Sequence, residues 1–75
     1  MQSGQFDKAV ERFAQLEELT EGDERVNAVI GRSDAYFMMG DTVAARETLQ
    51  KVFEISKDSL LLQSVQKRIN ELNNN

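Results

Sequence analysis

The chain has 75 residues, a net charge of −4 from 9 Lys and Arg against 13 Asp and Glu, and neither cysteine nor histidine. A chain of this length makes one small domain with no disulfide to support its core. The acidic balance argues against nucleic acid and against an anionic membrane surface, since both are bound through basic side chains.

Met1-Gln2-Ser3-Gly4-Gln5 has neither a basic start nor an apolar core, so it reads as no signal peptide, and a cytoplasmic location is favoured. The longest purely aliphatic run, residues 60–62, falls far short of the roughly 20 residues a membrane span requires. There is no proline, and a chain rich in Ala, Leu, Glu, Gln and Arg is helical by propensity. A first helix is expected over residues 7–19, with Phe6 as a staple before it. Its apolar positions Phe6, Ala9, Val10, Phe13, Leu16 and Leu19 recur at helical spacing. Thr20-Glu21-Gly22-Asp23 is the most loop-like stretch, and Asp23 is a candidate N-cap for a second helix over residues 24–39. That helix carries Val26, Val29, Ile30, Tyr36 and Phe37, with the small Ser33 between them, and Gly40 closes it. Asp41 or Thr42 caps a third helix running to about residue 55, with Ala45, Leu49, Val52 and Phe53 on one face. Asp58 or Ser59 caps a fourth with Leu61, Leu62, Val65, Ile69 and Leu72, and residues 73–75 read as a frayed tail. No stretch alternates with period two, so no strand is expected.

Gly4-Gln5-Phe6-Asp7-Lys8-Ala9 aligns with Gly40-Asp41-Thr42-Val43-Ala44-Ala45, and the match continues as Phe13 over Leu49, Leu16 over Val52 and Leu19 over Ile55. The two units lie 36 residues apart, close to the period of about 34 found in helix-pair solenoids. The extra two residues are expected in the loop at 20–23. The segments Gly4-Gln5-Phe6-Asp7-Lys8-Ala9 with Phe13, and Tyr36-Phe37-Met38-Met39-Gly40-Asp41 with Ala45 and Leu49, resemble the signature of the tetratricopeptide repeat family.

The resemblance implies an all-α chain of antiparallel helix pairs, an α-solenoid fragment of about four helices. Residues 4–20 would be the second helix of a truncated repeat, 24–56 a complete helix pair, and 59–72 a capping helix. Met1-Gln2-Ser3 would then end a first helix that is otherwise missing. Ala9, Ala45 and Ser33 would stand where paired helices cross closely. The sequence departs from the family pattern at Arg32, Val29 and Lys57, where the family places a bulky aliphatic, a tryptophan-like residue and a proline. On the fourth helix Lys67 would occupy the small position.

The residues offer little to catalysis. Without histidine or cysteine there is no ordinary general base, thiol nucleophile or soft metal ligand. The acidic cluster Glu17, Glu18, Glu21, Asp23 and Glu24 reads as a solvated helix end, without the spacing of a calcium loop. No cofactor is expected, and the chain reads as an interaction module and not an enzyme. By resemblance, the groove for a protein or peptide partner would be lined by Asn27, Ile30, Gly31, Asp34, Phe37 and Met38. A second account is self-association as a homodimer through Phe6, Val10, Phe13 and Val29, left partly uncovered on the first helix pair. The family's clamp for a C-terminal carboxylate would fall on Asn27, Gly31, Asp34, Leu61, Val65 and Arg68. Of these only Arg68 suits an anion and Asp34 opposes one, which points to a basic or apolar ligand.

Overall fold

Residues 3–73 are described by the structure, a computed structural model. They form α1 (Ser3–Leu19), α2 (Gly22–Met38), α3 (Thr42–Gln50), α4 (Val52–Ile55) and α5 (Ser59–Asn73), with no strand among the described residues. The all-α architecture and the helix order match the sequence reading, with differences at the ends of the helices.

α1 starts at Ser3, so Gly4 is helical and Ser3 belongs to α1 and not to a preceding helix. An isolated glycine in a helix costs only about 1 kcal/mol, and the apolar spacing that follows outweighs it. Met1 and Gln2, assigned to that preceding helix, lie outside the described residues. At the other end the α1 carbonyls are satisfied by side chains. The Thr20 hydroxyl donates to the Leu16 carbonyl at 2.5 Å, and Arg25 Nε donates to the carbonyls of Glu17 and Thr20 at 2.8 and 2.9 Å. These bonds close the helix so tightly that only Thr20 and Glu21 connect it to α2, where a four-residue loop was expected. Gly22 turns the chain with φ +61, a conformation that glycine adopts without steric cost. The N-cap of α2 is therefore Glu21, whose side chain makes no capping bond, while Asp23 and Glu24 lie in the first turn. There their charge favours the positive end of the helix dipole.

The α2–α3 turn follows from Gly40 and Asp41. Gly40 has φ +85 and donates its N–H to the Phe37 carbonyl, while Asp41 donates to the Tyr36 carbonyl, both at 2.9 Å. That pair of bonds is a Schellman closure. The Asp41 carboxylate then accepts from the Ala44 N–H at 3.0 Å and starts α3. The third helix, expected to run unbroken to residue 55, is interrupted at Lys51, whose N–H donates to the Thr48 carbonyl three residues back. The Thr48 hydroxyl bonds back to the Ala44 carbonyl at 2.7 Å, an arrangement that bends helices. Asp58, not Ser59, caps α5, accepting from the Leu60 N–H at 3.1 Å. Asn73, expected to fray, ends α5 and accepts a bond from Arg46 at 2.8 Å; Asn74 and Asn75 lie outside the described residues.

The core is built from α2 to α5 and consists of Val26, Val29, Ala45, Leu49, Val52, Val65, Ile69 and Leu72. Each long helix packs on its neighbour in the chain, and α1 packs on α2 alone. The extents of 37 × 33 × 13 Å admit no more than two helix layers, since packed helix axes lie about 8–10 Å apart. A closed bundle would bring α1 back against the last helix; here the row stays open, as in a solenoid. The 36-residue spacing also relates α2 to α5. Val26, Val29, Ser33 and Tyr36 correspond to Leu62, Val65, Ile69 and Leu72, the side of each helix turned to the core. The residue in the place of Ser33 is thus the buried Ile69, and the exposed Lys67, which a 34-residue spacing would put there, points away.

Ser33 and Gly31 show why α2 needs small residues. Ser33 is buried where α2 meets α3, and its hydroxyl donates to the Ala45 carbonyl at 2.9 Å. Gly31 lies against α1, where a Cβ would come within 2.6 Å of the Phe13 ring. Alanine is the better helix former by about 1 kcal/mol, but it must push the ring away. Gly31→Ala is therefore expected to leave stability unchanged or lower it by about 1 kcal/mol, and in a Phe13→Ala background to raise it by about 1 kcal/mol. Urea midpoints of the four proteins read this directly; the same sign in both backgrounds would show that the ring contact does not decide the effect.

Candidate functional site

Two α2 residues of the expected groove come together with α5. Asp34 and Phe37 line a cleft of about 320 Å³ with Ser33, Arg68, Glu71 and Leu72. Ser33 and Leu72 are buried and form its inner wall, and Phe37 is 43 % exposed at the rim. The cleft exists because α2 and α5 both pack on α3 without packing on each other. Arg68 reaches across it and pairs with Asp34. Both side chains are about half exposed, so this pair is screened by water and contributes little to stability. It neutralises the one cation of the cleft, leaving Glu71 with no cationic partner among the described residues.

The other expected groove residues lie elsewhere. Asn27 borders a shallow depression with Phe13, Leu16 and Glu24 at the α1 side of α2. Gly31 is covered by the Phe13 ring and is not open to a ligand backbone. Ile30 packs against the core, and Met38 is exposed without lining the cleft. The carboxylate-clamp positions fare no better, since Val65 is buried and Arg68 is held by Asp34.

The expected self-association face also needs revision. Val29 is fully buried within the core cluster and offers nothing to a second chain. Phe6, Val10 and Phe13 recur at helical spacing with Glu17, and Phe13 and Glu17 both touch α2. That stripe is consequently half-buried, with Phe13 lying against α2 on one side and lining open depressions on the other.

Two features escaped the sequence reading. Leu72 with Arg68 and Glu71, at i, i−4 and i−1 of α5, forms half of the cleft; the spacing was legible, but the side of α5 that faces α2 was not. Arg32, which stands where the family has an aliphatic, forms a two-bond ion pair with Glu17 of α1 at 2.5 and 3.0 Å. Both side chains are largely buried, so the departure is matched by a compensating charge on the neighbouring helix. No group of acidic side chains among the described residues converges to hold a metal ion, and no described helix is long and apolar enough to cross a membrane.

No curated protein and no solved structure matches the chain. A protein-family profile described as tetratricopeptide repeat matches residues 1–69, which covers both copies of the internal repeat and most of α5. With that match over most of its length, the chain belongs to the tetratricopeptide repeat family.

Proposed function

We propose that the cleft between α2 and α5 binds a short segment of a partner protein, with an apolar side chain seated between Phe37 and Leu72 and a basic one beside Glu71. Tetratricopeptide repeats are protein–protein interaction modules, which supports the general class; the choice of site rests on the cleft itself. The observation that carries it is the pairing of Arg68 with Asp34. With its only cation neutralised, the cleft favours a cationic segment over an acidic one, and its apolar wall supplies the affinity. The weak, water-screened ion pair can open as the ligand enters without a large cost.

The test uses a displayed library of random peptides selected against the chain, followed by affinity measurement with the Phe37→Glu variant. Selected peptides are expected to pair an apolar residue with Lys or Arg and to lose about tenfold or more in affinity on Phe37→Glu. Binding that Phe37→Glu leaves intact, or a selection dominated by acidic peptides, would overturn the assignment.

A further inference from the structure

α1 and α3 are two copies of one sequence pattern in unequal surroundings. Ala45 and Leu49 of α3 and Val52 of α4 are at most 1 % exposed, because α2 covers one side of these helices and α5 another. Their counterparts Ala9 and Phe13 are only half-buried and Leu16 is 40 % exposed. Among the described helices only α2 packs on α1, and in the 36-residue register it takes the side that α5 takes on α3. The side of α1 equivalent to the α2 seat on α3 is open.

Two shallow depressions run along that open side and meet at the Phe13 ring. One passes Lys8, Ala9 and Arg12; the other passes Leu16, Glu24 and Ala28. The surface is therefore basic toward the start of α1 and carries Glu24 toward its end, with Glu21 beyond it at the loop, where Arg25 is engaged with the Glu17 and Thr20 carbonyls. Lys8 lies five residues before Phe13, about 7.5 Å along the helix axis. Glu24 lies near Leu16 and Thr20, a similar distance in the opposite direction.

We propose that the occupant of this seat is the same seat on a second copy of the chain, in a two-fold dimer whose axis passes near Phe13. That axis exchanges the two ends, so the basic end of each copy meets the acidic end of the other while Leu16 and Phe13 are covered at the centre. The small Ala9 lets the helices approach closely. A head-to-tail arrangement with α5 in the seat lacks this match. The outward residues of α5 include Gln63, Gln66, Lys67 and Asn70, all exposed and polar. An isologous pair is closed and does not propagate into fibres. The proposal is independent of the α2–α5 cleft, because no residue lines both surfaces.

Sedimentation equilibrium across a concentration series tests it. The wild-type mass is expected to rise from 8.5 kDa toward twice that value, and the dissociation constant to increase with salt. Leu16→Glu should raise that constant about a hundredfold, while Leu60→Glu, at an exposed site on α5, should leave it unchanged. Lys8→Glu with Arg12→Glu should weaken the dimer about tenfold or more, and adding Glu21→Lys with Glu24→Lys to the same chain should restore it. The substituted side chains are exposed, and circular dichroism confirms that each variant stays helical. A monomer up to millimolar concentration overturns the proposal and leaves the seat to a helix of another protein. A dimer indifferent to Leu16→Glu, or one not restored by the charge exchange, overturns it equally.

Discussion

Leu49→Ala is expected to destabilise the domain by about 3 kcal/mol, while Phe13→Ala costs about 1.5–2 kcal/mol, although phenylalanine is the larger side chain. The two residues hold the same place in the internal repeat, so the difference is one of surroundings. Leu49 is 1 % exposed between α2, α4 and α5, and its removal leaves a cavity that the packed core cannot close. Phe13 lies against Gly31 of α2 with its other side open, so truncation leaves a dent that water fills. A core this small supplies only a few kcal/mol, and Leu49→Ala should remove most of it. Urea unfolding followed by circular dichroism gives both values. If Phe13→Ala proved the costlier change, α1 would have to be covered in a way its packing does not show.

The second large effect concerns Glu17 and Arg32. Their side chains are 16 % and 13 % exposed, and they join α1 to α2 through two hydrogen bonds. Removing one partner strands the other in a nearly dry site. Glu17→Gln or Arg32→Leu alone should each cost about 2 kcal/mol, less than the 3–5 kcal/mol of a fully buried pair because some water remains. Replacing both, as Glu17→Met with Arg32→Leu, should be neutral or stabilising, since an apolar pair of similar size escapes the desolvation of two charges. The double-mutant cycle therefore has a sharp signature, two harmful single changes and a harmless combination. Additive losses would mean that the pair contributes packing area and not charge. The aliphatic residue that the family places at position 32 is on this account a simpler solution to the same contact.

Most of the fold was legible because its determinants are local. Gly40 followed by Asp41 announced a helix end and a new cap, and the hydrogen bonds of both residues realise them. The 36-residue self-similarity placed Ala9 opposite Ala45 and gave the pairing of helices before any packing was known. Where the reading failed, the determinants were distant in sequence. The loop after α1 is short because Arg25 reaches back to carbonyls five and eight residues away. Val29 is buried because α2 turns that side to the core it shares with α3, and no property of α2 alone distinguishes it from Ile30. Gly31 illustrates the same limit: its smallness was visible, but only the position of Phe13 shows that a ring and not a ligand uses the space. For the cleft, Phe37 and Asp34 were legible on α2, whereas its α5 wall depended on which side of that helix faces α2.

The attachment of α1 has a consequence for how the molecule opens. No α1 residue belongs to the core cluster, and the helix is held by the Phe13–Gly31 contact, the Glu17–Arg32 pair and the Arg25 bonds at its end. Its detachment and the melting of α2 through α5 are thus separate events with separate free energies, in the manner of independent foldons. The α1 amides should exchange with solvent through the cheaper of the two openings, while those of α3 and α5 wait for the whole to come apart. Each detachment bares Ala28 and Ala35 of α2, otherwise 3 % and 5 % exposed, together with the half-buried stripe of α1.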